Sequence, residues 1–221
     1  MQNYLQQLQT TFANHANPQI ASGIKAYMRN YFEFLGIQSP LRKEIQKPFL
    51  LTKNLPPKKD LEKIVHALWD KPQREYQYAA MALVWKYSRQ YEQKDMEMFE
   101  YMITHKSWWD TVDFIAAKPV GYYLMKYPDQ RKKYTDKWIR SGNIWLQRTA
   151  LLFQLTYKEQ TDTVLLNHII HALNGTREFF INKAIGWILR QYARVNPAWV
   201  KEFVHQAALS NLSRREALKN L

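Results

Sequence analysis

The stretch "HKSWWDTVDF", residues 105–114, sets two aspartates close behind two adjacent tryptophans. Asp113 follows Trp109 by four residues, so on a helix the carboxylate and the indole share one face. Such a carboxylate can sit exposed, accept from the indole N–H, or stabilise positive charge developing beside it. Indole faces themselves attract cations by about 0.5–2 kcal/mol. Asp110 has a local explanation. It lies three residues after Ser107, the spacing of a capping box, in which Ser107 caps the helix and Asp110 favours its positive end. Two more positions stand out. Arg148 is a cation within the otherwise apolar "NIWLQRTALLFQ", suited to holding a phosphate bidentately or to pairing with a carboxylate. Trp187, in "KAIGWILRQY", suits core packing or an aromatic contact face.

Other chemistries find little support. The chain has no cysteine, which excludes a thiolate nucleophile, a disulfide framework and Cys-ligated zinc. His168 and His171 are three apart, but no HExxH pattern accompanies them, so neither a metal nor a cofactor is expected. Gly-rich phosphate loops and a GxSxG elbow are absent. The balance of 32 Lys+Arg against 19 Asp+Glu leaves a net charge of +13. That surplus points to a polyanionic partner, nucleic acid first and an anionic membrane surface second. The opening "MQNYLQQLQTTF" lacks the basic and apolar regions of a secretory signal, and no apolar run approaches the ~18 residues of a membrane span. A soluble, cytoplasmic protein is expected, with no membrane partner.

Helices must position these residues, since apolar side chains recur at helical spacing along the chain. Leu5, Leu8 and Phe12 fall on one face, as do Leu61, Ile64, Val65, Leu68 and Trp69. Asn17-Pro18, Ser39-Pro40 and Asn196-Pro197 each pair an N-cap with a proline at the first helical position. Tyr127-Pro128-Asp129 marks a break, and Gly36, Gly142 and Gly175 read as helix stops or loops. Four segments also align, beginning at residues 75, 112, 145 and 179, at spacings of 37, 33 and 34 residues. They place Ala80, Ala117, Ala150 and Ala184 in register, followed three residues later by Leu83, Val120, Phe153 and Trp187. This is the period of a helical-hairpin repeat. The expected fold is all-α: an α-solenoid of HEAT-like hairpins, about a dozen helices in a single domain over 1–221. A basic solenoid can cradle duplex DNA.

"FLGIQSPLR", "KSWWDTVD", "NIWLQRTALLFQL", "EFFINKAIGWILRQYA" and "LSRREALK" together resemble the AlkD-like DNA alkylation-repair glycosylases over nearly the whole chain. The resemblance implies a HEAT-like solenoid that excises cationic N3- and N7-alkylpurines from duplex DNA without a deep base-flipping pocket. It implies that Trp109, Asp113, Arg148 and Trp187 are the catalytic and lesion-contacting residues, with Arg148 gripping DNA. Lys106, Lys183, Arg190, Arg214 and Arg215 are candidates to extend the phosphate grip. Gln38, Ser39, Arg42 and Lys43, at the loop-to-helix corner "IQSPLRK", are candidates to hold a strand at a helix N-terminus. The partner would be duplex DNA containing alkylated purines, bound by a monomer. Two alternatives stay open: a non-catalytic HEAT-repeat binder of damaged or branched DNA, and a protein-binding solenoid. Asp113 separates the first, because a pure binder gains nothing from a carboxylate facing a polyanion.

Overall fold

Cap residues and apolar stripes divide the chain into short helices. A computed structural model describes residues 1–219 and 221, and these form two compact units, Met1–Gln90 and Tyr91–Leu221. The first unit contains α1 (Gln2–Asn14), α2 (Pro18–Tyr27), α3 (Ser39–Gln46), α4 (Leu61–Trp69) and α5 (Arg74–Lys86). The second contains α6 (Asp95–Thr104), α7 (Trp109–Ile115), α8 (Gly121–Lys126), α9 (Gln130–Arg140), α10 (Ile144–Leu152), α11 (Thr163–Leu173), α12 (Phe179–Tyr192), α13 (Pro197–Gln206) and α14 (Asn211–Ala217). The described residues include no strand, and Glu33 and Gln73 form an isolated bridge.

The hairpin period is visible in the starts of α4, α6, α9, α11 and α13, which follow one another at about 34 residues. In the second unit α10 packs on α7, α12 on α10 and α14 on α12, while α11 packs on α9. The fold class is that of an α-solenoid. The aligned alanines are all buried, as are Leu83, Val120 and Phe153. Trp187 departs from that register. It is half-buried although Ile185, Gly186, Ile188 and Leu189 around it are buried, so its place in the repeat is not a core position.

Two of the three Xaa-Pro starts form as expected. Asn17 accepts from the Ile20 N–H at 3.1 Å and Asn196 from the Trp199 N–H at 3.0 Å. At the third, Ser39 is already helical, Gln38 holds the cap position, and no side chain caps the helix. The chain before α3 is tied down from elsewhere. The Glu75 carboxylate, 1% exposed, accepts from the backbone N–H groups of Leu35 at 3.0 Å, Gly36 at 2.9 Å and Ile37 at 3.1 Å. Gly36 has φ +85, and a Cβ there would lie 2.0 Å from the Asn17 carbonyl oxygen. Replacing Glu75 with Gln should therefore cost about 2–3 kcal/mol, since the amide turns a donor toward buried N–H groups. A lower urea midpoint with an unchanged m-value would register it.

Candidate functional site

Asp113 sits on α7, whose first turn is set differently from the capping-box expectation. The Ser107 hydroxyl donates to the Ile103 carbonyl at 2.6 Å and so closes the end of α6. Trp108, in extended conformation, occupies the cap position, and its side chain does not cap the helix. The serine is spent on the preceding helix because Lys106 takes φ 48 and turns the chain sharply there. Beyond α7 the helix runs through a π turn (Ala116–Val120) that contains Pro119 and continues directly into α8. Gly121 permits a close approach to the next hairpin: a Cβ there would lie 2.5 Å from the Phe153 carbonyl oxygen. The Tyr157 hydroxyl donates to the Gly121 carbonyl at 2.6 Å.

Arg148 is carried in by α10. Gly142, with φ +68, ends the preceding turn, and Asn143 caps α10 by accepting from Trp145 and Leu146. From there Arg148 reaches Asp113 with two hydrogen bonds, Nε to Oδ1 at 2.6 Å and Nη2 to Oδ2 at 2.9 Å. Its Nη1 donates to the Phe180 backbone carbonyl at the start of α12. The guanidinium carbon lies 5.8 Å from the Phe180 ring centroid. Arg148 is 4% exposed, and all three of its nitrogens are engaged within the protein. The arginine has an internal role: it fixes the Asp113 carboxylate. A second lone pair on each Asp113 oxygen is left over from this bidentate contact.

The Asp113 side chain keeps 16% exposure beside its nearly buried partner. Burial pushes its carboxyl above the usual carboxylate range; the hydrogen bonds and charge of Arg148 pull it back, and Asp110 pushes it up. Trp109 lies one turn earlier on the same helix, half-buried. Trp187 lies on α12, two turns or about 10 Å beyond Phe180, whose carbonyl Arg148 holds. Three hairpins thus meet through Arg148.

The remaining candidates divide. Lys183 and Arg190 flank Trp187 on α12 and are paired with Glu216 of α14, at 2.8 and 2.6 Å. Arg214 and Arg215 are exposed on α14, and Lys106 is half-buried at its strained turn. Gln38, Ser39 and Lys43 are exposed in the first unit, where the Arg42 guanidinium stacks 4.3 Å from the Tyr78 ring centroid. Sequence reasoning missed Glu216, which stands among basic residues in "LSRREALK", and the Phe180 carbonyl, which carries no sequence signal. It also passed over a ring cluster beside Arg148. There Trp108 lies 5.6 Å from Trp145 and 5.2 Å from Phe180, and Trp145 lies 5.0 Å from Phe180.

The sequence model of one family, DNA alkylation repair enzyme, matches residues 8–221. The chain belongs to that family. The match to the DNA alkylation repair enzymes runs through both compact units and takes in every candidate residue. A solved structure of the same family, the predicted DNA alkylation repair enzyme of Enterococcus faecalis, is 35% identical. The similarity covers 93% of this chain and 96% of that one, with a TM-score of 0.87. No curated protein matches the chain. Among the described residues, no helix is long and apolar enough to cross a membrane.

Proposed function

We propose that this alkylation repair enzyme is a monofunctional DNA glycosylase. It hydrolyses the N-glycosidic bond of cationic N3- and N7-alkylated purines in duplex DNA, as a monomer and without a cofactor, with residues 1–221 acting as one DNA-binding and catalytic domain. The observation that carries this reading is the Asp113 carboxylate, held bidentately by Arg148 at the edge of solvent and one helical turn from Trp109. An N3- or N7-alkylpurine is already positively charged, so its departure needs no general acid. As the C1′–N bond breaks, the electron pair neutralises the leaving purine and positive charge builds on the deoxyribose. A fixed carboxylate stabilises that charge, and its remaining lone pairs can orient the water that adds to C1′ and releases a proton to solvent. A unit charge 4 Å away at an effective dielectric near 20 is worth roughly 4 kcal/mol. The charge of Arg148 behind Asp113 reduces this toward a dipole's effect, which still suffices for a substrate activated in advance. Trp109 and Trp187 flank the sugar and exclude water. Lys106, Lys183, Arg190, Arg214 and Arg215 contact phosphates, joined by Gln38, Ser39, Arg42 and Lys43 of the first unit.

The test is release of free base from a duplex holding a single N7-methylguanine, with protein in excess. Tight binding without release above the spontaneous rate would leave a binder of damaged DNA instead. The pH profile makes a further prediction. The active form has Asp113 ionised, and burial raises its carboxyl. After correction for spontaneous base loss, the single-turnover rate should rise with pH and level off, with its acid limb above the ~3.9 of an ordinary aspartate. A rate series from acid to neutral pH checks this, and a profile flat through the whole range would count against Asp113.

A further inference from the structure

α12 carries Lys183, Trp187 and Arg190 at intervals of four and three residues, so the tryptophan lies between two cations on one helix face. Glu216 on α14 spans both. Its Oε1 accepts from Lys183 Nζ at 2.8 Å and its Oε2 from Arg190 Nη1 at 2.6 Å, while Arg190 Nη1 also reaches the Glu216 carbonyl at 3.3 Å. Glu216 is 12% exposed, and its two partners hold its carboxyl down to about 2. The approach depends on Gly186. A Cβ there would lie 2.4 Å from the Glu216 Cβ and 2.8 Å from the Ser213 carbonyl oxygen. The Ser213 hydroxyl adds a bond to the Asn182 carbonyl at 2.9 Å. A glycine, a serine and a carboxylate therefore seat α14 on the turns of α12 that bear Trp187.

We infer that Glu216 is a positioning residue which, given that this site excises cationic purines, holds Lys183 and Arg190 on either side of Trp187 and cancels one of their two positive charges. The sugar beside Trp187 gains positive charge in the transition state. Two uncompensated cations there would favour phosphate binding in the ground state and oppose the transition state. With Glu216 between them, the pair keeps a net charge of one and a fixed direction.

The experiment compares wild type with Glu216→Gln, Glu216→Asp and Gly186→Ala. It measures affinity for undamaged duplex across salt, and single-turnover base release from N7-methylguanine duplex. Glu216→Gln should bind duplex more tightly at low salt, with the log–log salt slope steeper by about 0.9, and should release base about tenfold more slowly. Glu216→Asp, which keeps the charge, should keep the wild-type slope. Gly186→Ala, whose Cβ would collide with Glu216 and unseat α14, should lose thermal stability and rate and, with the carboxylate displaced from the two cations, steepen the slope in the same direction as Glu216→Gln. A Glu216→Gln slope equal to wild type, or base release as fast as wild type, overturns the assignment. If wild type itself releases no base, the glycosylase reading falls. The slope then judges the hold on the two cations alone, a steeper one upholding it and an unchanged one overturning it.

Discussion

Asp113→Asn should lower single-turnover release of N7-methylguanine by 10²–10³-fold while leaving affinity for undamaged duplex undiminished. Asn is nearly isosteric, so the α7 face keeps its shape and the charge is what disappears. Removing one preorganised electrostatic group commonly costs this much. Here the loss has two parts. The carboxylate no longer faces the developing positive charge, and Arg148, bonded to both of its oxygens, is left as an unneutralised cation a few ångströms behind. Both changes act on the transition state, so they appear in the rate. Duplex binding gains instead, because a negative charge close to phosphates has gone. The check is a paired measurement at a temperature where far-UV circular dichroism confirms a folded mutant. Release at the wild-type rate would remove Asp113 as the catalytic carboxylate and turn attention to Asp110.

Arg148→Ala should be severe in a different way. It strips a buried carboxylate of a bidentate partner and frees the Phe180 carbonyl, so a stability loss of about 3–5 kcal/mol is expected. Asp113 then protonates more readily, because burial still raises its carboxyl while the pull of Arg148 is gone. Base release should fall at least as far as in Asp113→Asn at neutral pH, with the remaining activity recovered toward higher pH. Affinity for duplex should change little, since Arg148 is 4% exposed and directs hydrogen bonds from all three of its nitrogens to Asp113 and Phe180. The double replacement Asp113→Leu with Arg148→Met separates the roles. Exchanging a buried ion pair for apolar groups of similar volume is often neutral or stabilising, so the fold should recover while release does not. Thermal melts and base release on the three proteins decide it. A duplex affinity that collapses in Arg148→Ala, with stability intact, would restore the arginine to the phosphates.

Much of the architecture was legible along the chain because it rests on local rules. The aligned alanines marked the repeating helical segments and are buried. Asn17 and Asn196 cap as their Xaa-Pro context predicts, and Gly36, Gly142 and Gly175 take the positive φ that ends or turns a segment. Each of these depends on neighbours within a few residues. Where a long-range contact competed, the local rule lost. Ser107 had the spacing of a cap but closes the preceding helix, and the loop before α3 is held by Glu75, some 40 residues away. Trp187 kept the repeat's register without its burial.

The sequence by itself determined the helical hairpins, the basic surplus and the residue types from which a site can be made. A helix face and a net charge are properties of spacing and composition, and both can be read without coordinates. Only the tertiary structure decided what each charged group does. Asp113 and Arg148 are 35 residues apart, Arg190 and Glu216 26 apart, and a pairing at that distance is set by how hairpins stack. The same guanidinium can grip a phosphate or fix a carboxylate, and burial makes the choice. Stacking α10 between α7 and α12 turned Arg148 inward, away from solvent and onto Asp113, because a nearly buried cation must spend its hydrogen bonds inside the protein.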